Sequence, residues 1–189
     1  VFFYRYHVSL TRLHRYHAPP WLWFSPLRGV VYYSQASDAG YRIVAGIGNP
    51  FALWFSLLAI SYLAVSVVAR GRSTTSADAF IVAGFLATYG PWFLLSGDRL
   101  PFAFYLLPSI PFMELALASV VVAVARRPVV RVLVPLWATF TLGFFISVYP
   151  WYTAIREPDW WWVHLSPRAF DCDWLRFTVP APSATHLRC

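Results

Sequence analysis

"PFALWFSLLAISYLAVSVVA", residues 50–69, contains no charged side chain. Twenty residues of α-helix are about 30 Å long, the thickness of a bilayer's hydrocarbon core. A backbone placed there has no water to satisfy its polar groups, so the segment reads as a transmembrane helix. Three more stretches share this character: 79–96, 102–125 with Glu114 as its one charge, and about 129–152 with Arg131 near its start. The expected fold class is therefore all-α and integral to the membrane, with about four transmembrane helices. The expected organisation is an outer-face aromatic flank or loop over 1–45, a four-helix membrane region over 46–152, and an outer-face C-terminal tail over 153–189.

Composition agrees. Of the 189 residues, 59% are hydrophobic, 20% aromatic and 12% charged, against about 25% charged in an ordinary soluble domain. One core cannot hide that much apolar surface, so lipid is the expected solvent. The net charge of +7 does not point to nucleic acid. All the basic residues are arginine, and they edge the apolar runs instead of forming the single stripe that nucleic-acid binding requires. The two cysteines, Cys172 and Cys189, allow at most one bridge. Neither they nor His7, His14 and His17 have metal-site spacing. No metal and no cofactor is expected.

The loops set an orientation. Arg70 and Arg72 lie between the first two spans, and Arg126 and Arg127 between the last two, with Arg131 close by. The positive-inside rule puts both loops in the cytoplasm. Residues 97–101 and both termini then face outward, and the expected location is the plasma membrane, multi-pass. Residues 149–162, YPWYTAIREPDWWW, hold four tryptophans and two tyrosines, side chains that favour the headgroup level. The 1–45 flank is also aromatic, so both flanks are expected along the outer surface.

Few residues are placed to do chemistry. In "GDRLPFAFYLLPSIPF", 97–112, Arg99 opens the third span at its outer mouth, where a guanidinium can hold a phosphate through forked hydrogen bonds. It could equally be a boundary arginine reaching for water. Pro101, Pro108 and Pro111 interrupt the helix that follows, and breaks of this kind can line a cavity. Glu114 is an intramembrane acid that needs either a partner on another span or a substrate. Asn49 and Pro50 suit a helix cap and first turn, with Trp54 one turn on as an interface anchor or part of a lipid groove. His17 is a candidate contact for a phosphate or an acceptor. "DCDW", 171–174, is a poor thiolate or metal site because acids flank the cysteine.

Three ordered landmarks resemble the C-terminal four-span region of the protein O-mannosyltransferases. They are HAPPWLWFSPLRGVVYY at 17–33, GNPFALW at 48–54 and RLPFAFYLLPSIPF at 99–112. The Phe104–Tyr105 form of the third is similar to actinobacterial members. The resemblance covers about residues 14–150. It implies the C-terminal part of a GT-C-type fold and transfer of mannose from a polyprenyl-phosphate-mannose lipid donor to Ser or Thr of an exported acceptor protein, with inversion at the sugar carbon. It implies Arg99 as the phosphate contact, and Asn49, Trp54, Phe104, Tyr105 and His17 as further substrate-binding candidates. The family's catalytic acids belong to a preceding half of the enzyme that this chain does not contain. Neither Asp98 nor Asp159 takes their place, so no catalytic residue is assigned. Membrane lipid is an expected partner, and an oligomer is compatible with the pattern. The rival reading is a non-catalytic membrane subunit or truncated binding partner. A transporter fragment ranks last, because Glu114 alone fits its need for mid-membrane ionisable pairs.

Overall fold

A computed structural model describes residues 17–25, 29–37, 40–71, 75–95 and 101–156. Helix α1 runs over Pro50–Arg70. Asn49 sets its start: Oδ1 accepts the amides of Phe51 and Ala52 at 3.1 and 3.3 Å, and Pro50 fills the first turn, where no amide is needed. Gly71 ends it at φ 52°, a conformation glycine reaches without a Cβ clash. Helix α2, Ser76–Tyr89, begins three residues before the apolar run. Thr75 caps the Asp78 amide at 3.1 Å and draws the polar first turn into the helix. A short helix α3, Pro91–Leu95, continues the second span.

The third span divides where the prolines fall. Residues Ala103–Ser109 form a 3-10 helix that contains Pro108, and the α-helix α4 follows over Ile110–Val124 with Pro111 in its first turn. A proline amide is absent, so the tighter 3-10 winding carries the chain to a point where regular α-helix can begin. Helix α5, Val130–Thr153, is the fourth span and holds Pro135 and Pro150. All four spans are long and apolar enough to cross a bilayer. The chain is a membrane-embedded, all-α protein, and large apolar side chains such as Val68 (83% exposed) and Leu94 (84%) stand exposed on its spans.

One β element accompanies the helices. Within the flank, β1 (Val30–Ser37) pairs antiparallel with β2 (Gly40–Gly46). The register slips between Val31 and Tyr33, so Tyr32 is the extra residue of a β-bulge. Residues 17–25 form no strand; Pro20–Leu22 make one 3-10 turn, which continues as a turn through Trp23 and Phe24. The C-terminal tail beyond Arg156 lies outside the described residues, as do residues 1–16.

Two apolar clusters hold the parts together. Spans one to three close around Leu53, Ile60, Leu63, Phe85, Tyr89, Leu106, Met113 and Ala116, and Ala18, Trp23 and Phe24 cover their hairpin-side end. Span four is tied in separately: Ile43, Ala45 and Ile47 of the hairpin side pack on Trp151. The Trp137 indole donates to the Phe51 carbonyl at 3.0 Å, and Asn49 Nδ2 donates to the Thr141 carbonyl at 2.8 Å. In lipid, apolar burial gives helices little reason to associate, so close packing and such hydrogen bonds decide which faces meet. At the opposite end Arg70 pairs with Asp78 across 3.6 Å, and Ser119 of α4 reaches the same carboxylate at 3.4 Å. This joins spans one, two and three.

Candidate functional site

The hairpin-side end is held by aromatic donors. Residues 18–24 bond to one another only through short-range turns, and aromatic side chains, one of their own and two from other segments, close further carbonyls. The Trp23 indole donates to the Ala18 carbonyl at 2.7 Å, the Tyr89 hydroxyl to Pro20 at 3.0 Å, and the Trp54 indole to Phe24 at 2.9 Å. The Ala18 amide donates to the Pro101 carbonyl at 3.0 Å, which pins this segment beside the entrance to span three. A ring with one polar tip suits such a place, since its body packs apolar while its N–H or O–H closes a backbone bond. Trp23 lies edge-on to Tyr89 and Trp92, with centroids 5.8 and 5.7 Å apart, and Trp92 stacks on Tyr105 at 4.2 Å.

Under this cap lies a cleft of about 360 Å³. Its walls come from the hairpin (Tyr32, Gly46), the link into α1 (Gly48, Asn49), α1 itself (Ala52, Leu53), the 3-10 helix (Phe104, Leu107) and α5 (Tyr152). Glu114 supplies its carboxylate. That side chain is four residues past Ile110, also in the wall, and so on the same helical face. Glu114 Oε1 is 2.8 Å from the hydroxyl of Ser56, a fully buried residue whose Oγ also lies 2.7 Å from the Ala52 carbonyl. The Tyr152 hydroxyl donates to the Ile47 carbonyl at 2.8 Å and fixes one edge of the opening.

Two glycines make room. A Cβ at Gly46 would sit 3.0 Å from the Tyr32 ring, and one at Gly48 would overlap Leu53. The bulge sets the direction of Tyr32. Without the extra residue, strand alternation would carry this side chain to a different face.

The sequence candidates fall in different places. Asn49 and Phe104 line the cleft. Asn49 is largely committed: Oδ1 caps α1 and one Nδ2 hydrogen holds span four, which leaves one amide hydrogen. Trp54 is outside the wall and uses its indole on Phe24, and Tyr105 packs its ring between Trp92 and Phe104. His17 is half-buried next to Ala18 and does not border the cleft. Arg99 and Asp98 lie outside the described residues. The structure brings Tyr32, Tyr152 and Trp23 into the wall beside the candidates. Tyr32 and Tyr152 each stand in a sequence run rich in aromatic residues, the one signal that singles them out.

No family model matches the chain, and no solved structure matches it. Two curated proteins do, both polyprenol-phosphate-mannose–protein mannosyltransferases of Mycolicibacterium smegmatis, from strains mc(2)155 and MKD8. The similarity is to mannosyltransferases. Each is 30% identical over 141 residues, covering 66% of this chain and 26% of the relative. The chain thus spans about a quarter of the length of the curated relatives it matches.

Proposed function

We propose that this chain is the C-terminal membrane part of a glycosyltransferase that moves mannose from a polyprenyl-phosphate carrier to Ser or Thr of exported proteins. The observation that carries the reading is the 30% identity over 141 residues to the two mycobacterial enzymes. The cleft offers such a reaction a sheltered volume at one end of the spans, mostly apolar and with few polar groups, the usual character of a small-molecule site. On the positive-inside reading this end faces away from the cytoplasm.

In the transfer, the acceptor hydroxyl oxygen attacks the anomeric carbon as the bond from that carbon to the phosphate oxygen breaks. The phosphate leaves with the lipid, and the hydroxyl proton passes to a base. Arg99 would meet the phosphate as its charge grows. Glu114 and the remaining Asn49 amide hydrogen would hold sugar hydroxyls, with Tyr32 and Phe104 beside the ring. The base is not assigned to this chain.

The test uses source membranes. Disrupting the coding segment should abolish mannosyl transfer from polyprenyl-phosphate mannose to a Ser/Thr acceptor peptide, and the wild-type segment should restore it. Arg99→Ala should weaken donor use by about 1–3 kcal/mol, the scale of a lost hydrogen bond to a charged group. Transfer that continues without the segment would refute the enzymatic role and favour a non-catalytic subunit. Donor use unchanged by Arg99→Ala would remove that residue from the site.

A further inference from the structure

A second concavity lies away from the cleft. It is a groove of about 340 Å³ between spans one, three and four, and every lining side chain is apolar or aromatic. Leu58 and Tyr62 of α1, Val121 and Val124 of α4, and Val130 and Leu133 of α5 form its sides. On this side α5 contributes no buried residue before Val148. The α4 residues in the wall run from Leu117 to Val124, about 10 Å of helix axis. That is most of one leaflet's half of a roughly 30 Å hydrocarbon core.

The mouth of the groove carries charge. Val124 and Val130 bracket the turn between spans three and four, and Arg126, Arg127 and Arg131 stand exposed on that turn and the first helical turn after it. The acids among the described residues are Asp78 and Glu114. Asp78 is engaged by Arg70 and Ser119, and Glu114 by Ser56 nearer the opposite end. No ion pair joins the three arginines to an acid among the described residues. The positive end of the α5 dipole points to the same place. A basic pocket at the end of an apolar interhelical groove matches an anionic lipid in both its parts.

We propose that this groove seats an acyl chain of an anionic phospholipid whose phosphate is held by Arg126, Arg127 and Arg131. The groove accounts for the chain and the arginines for the headgroup. Among the described residues a docked helix from a second copy would bring to this end only Asp78, already engaged by Arg70 and Ser119. A zwitterionic lipid would answer them only weakly. The site is distinct from the sugar cleft and does not depend on the proposed reaction.

The experiment presents the full chain in detergent with equal amounts of phosphatidylglycerol and phosphatidylcholine of the same chain length, and counts retained lipid by native mass spectrometry. Phosphatidylglycerol should be retained in at least about tenfold excess, and rising salt should erase the excess as the phosphate contacts are screened. Each Arg→Gln change among the three should weaken the preference by about fivefold. A photoreactive acyl chain on phosphatidylglycerol should crosslink within residues 117–137, and Val121→Trp, which fills the groove, should suppress those crosslinks. Equal retention of the two lipids by the wild type overturns the headgroup assignment without reliance on any variant folding. Crosslinks confined to other segments, or spectra dominated by a lipid-free dimer, overturn the groove as a lipid seat.

Discussion

Gly84 of α2 lies directly under the ring of Phe112 in α4, and a Cβ added there would overlap the ring. Phe112 cannot swing aside freely, because Phe80 holds it edge-on with centroids 5.9 Å apart. Gly84→Ala therefore brings two opposed effects. Overpacking costs about 1–3 kcal/mol, and alanine in place of glycine within a helix returns about 1 kcal/mol. The net expectation is a loss of about 0–2 kcal/mol. With Phe112 cut back to alanine the clash is gone and only the helical gain remains. In the Phe112→Ala background, then, Gly84→Ala should stabilise by up to about 1 kcal/mol. This reversal of sign is sharper than either magnitude. Reversible unfolding in detergent micelles, followed by loss of helical circular dichroism, measures all four members of the cycle. If Gly84→Ala has the same sign and size in both backgrounds, within about 0.5 kcal/mol, the two helices do not pack through this contact and the reasoning fails.

Asn49→Ala should cost about 1–2 kcal/mol in the same assay, since it removes the α1 cap and the bond to Thr141 together; Asn49→Asp, which keeps the cap and loses the Nδ2 donor, should recover about half. Glu114→Gln retains an acceptor for Ser56 but carries no charge, so stability should change by less than about 1 kcal/mol while mannosyl transfer in source membranes drops at least about tenfold. Transfer at the wild-type rate would leave Glu114 a helix-pairing residue only. Tyr32→Ala should raise the KM for the lipid donor by about 3–10-fold, the scale of one aromatic contact, with stability altered by no more than about 0.5 kcal/mol; an unchanged KM would place Tyr32 outside the sugar's reach.

The spans could be read from sequence because the bilayer imposes a length and forbids charge, and few folds are so constrained. Their ends were less legible. The second helix begins at Ser76, in a polar turn that hydropathy passes over, because the Thr75 cap determines it. The prolines of the third span forecast an interruption, and the structure resolves it into 3-10 and α segments. The hairpin over 30–46 is obscured in sequence by its aromatic composition, although VVYY and RIVA are strand-like and the Ser-Asp-Ala-Gly between them suits a turn. Among the candidate residues, sequence could place aromatics near the site but not say which rings turn inward. Trp54 and Tyr105 pack and bond elsewhere, while Tyr32 enters the wall through a bulge that no alternation pattern announces.

The segment that caps the cleft also sets an order of events. Its hydrogen bonds join residue 18 to 101, 20 to 89 and 24 to 54, so each partner is translated long after the segment itself. None of these bonds can close until the corresponding span has been made and inserted, and the last waits for the chain to reach Pro101. Contacts so distant in sequence form late and slowly. The roof of the cleft thus cannot be fully bonded before the chain reaches the third span, and a lesion in any of the first three spans would remove an anchor of residues 17–25. Protease sensitivity of this one segment would then serve as a clock for assembly of the first three spans.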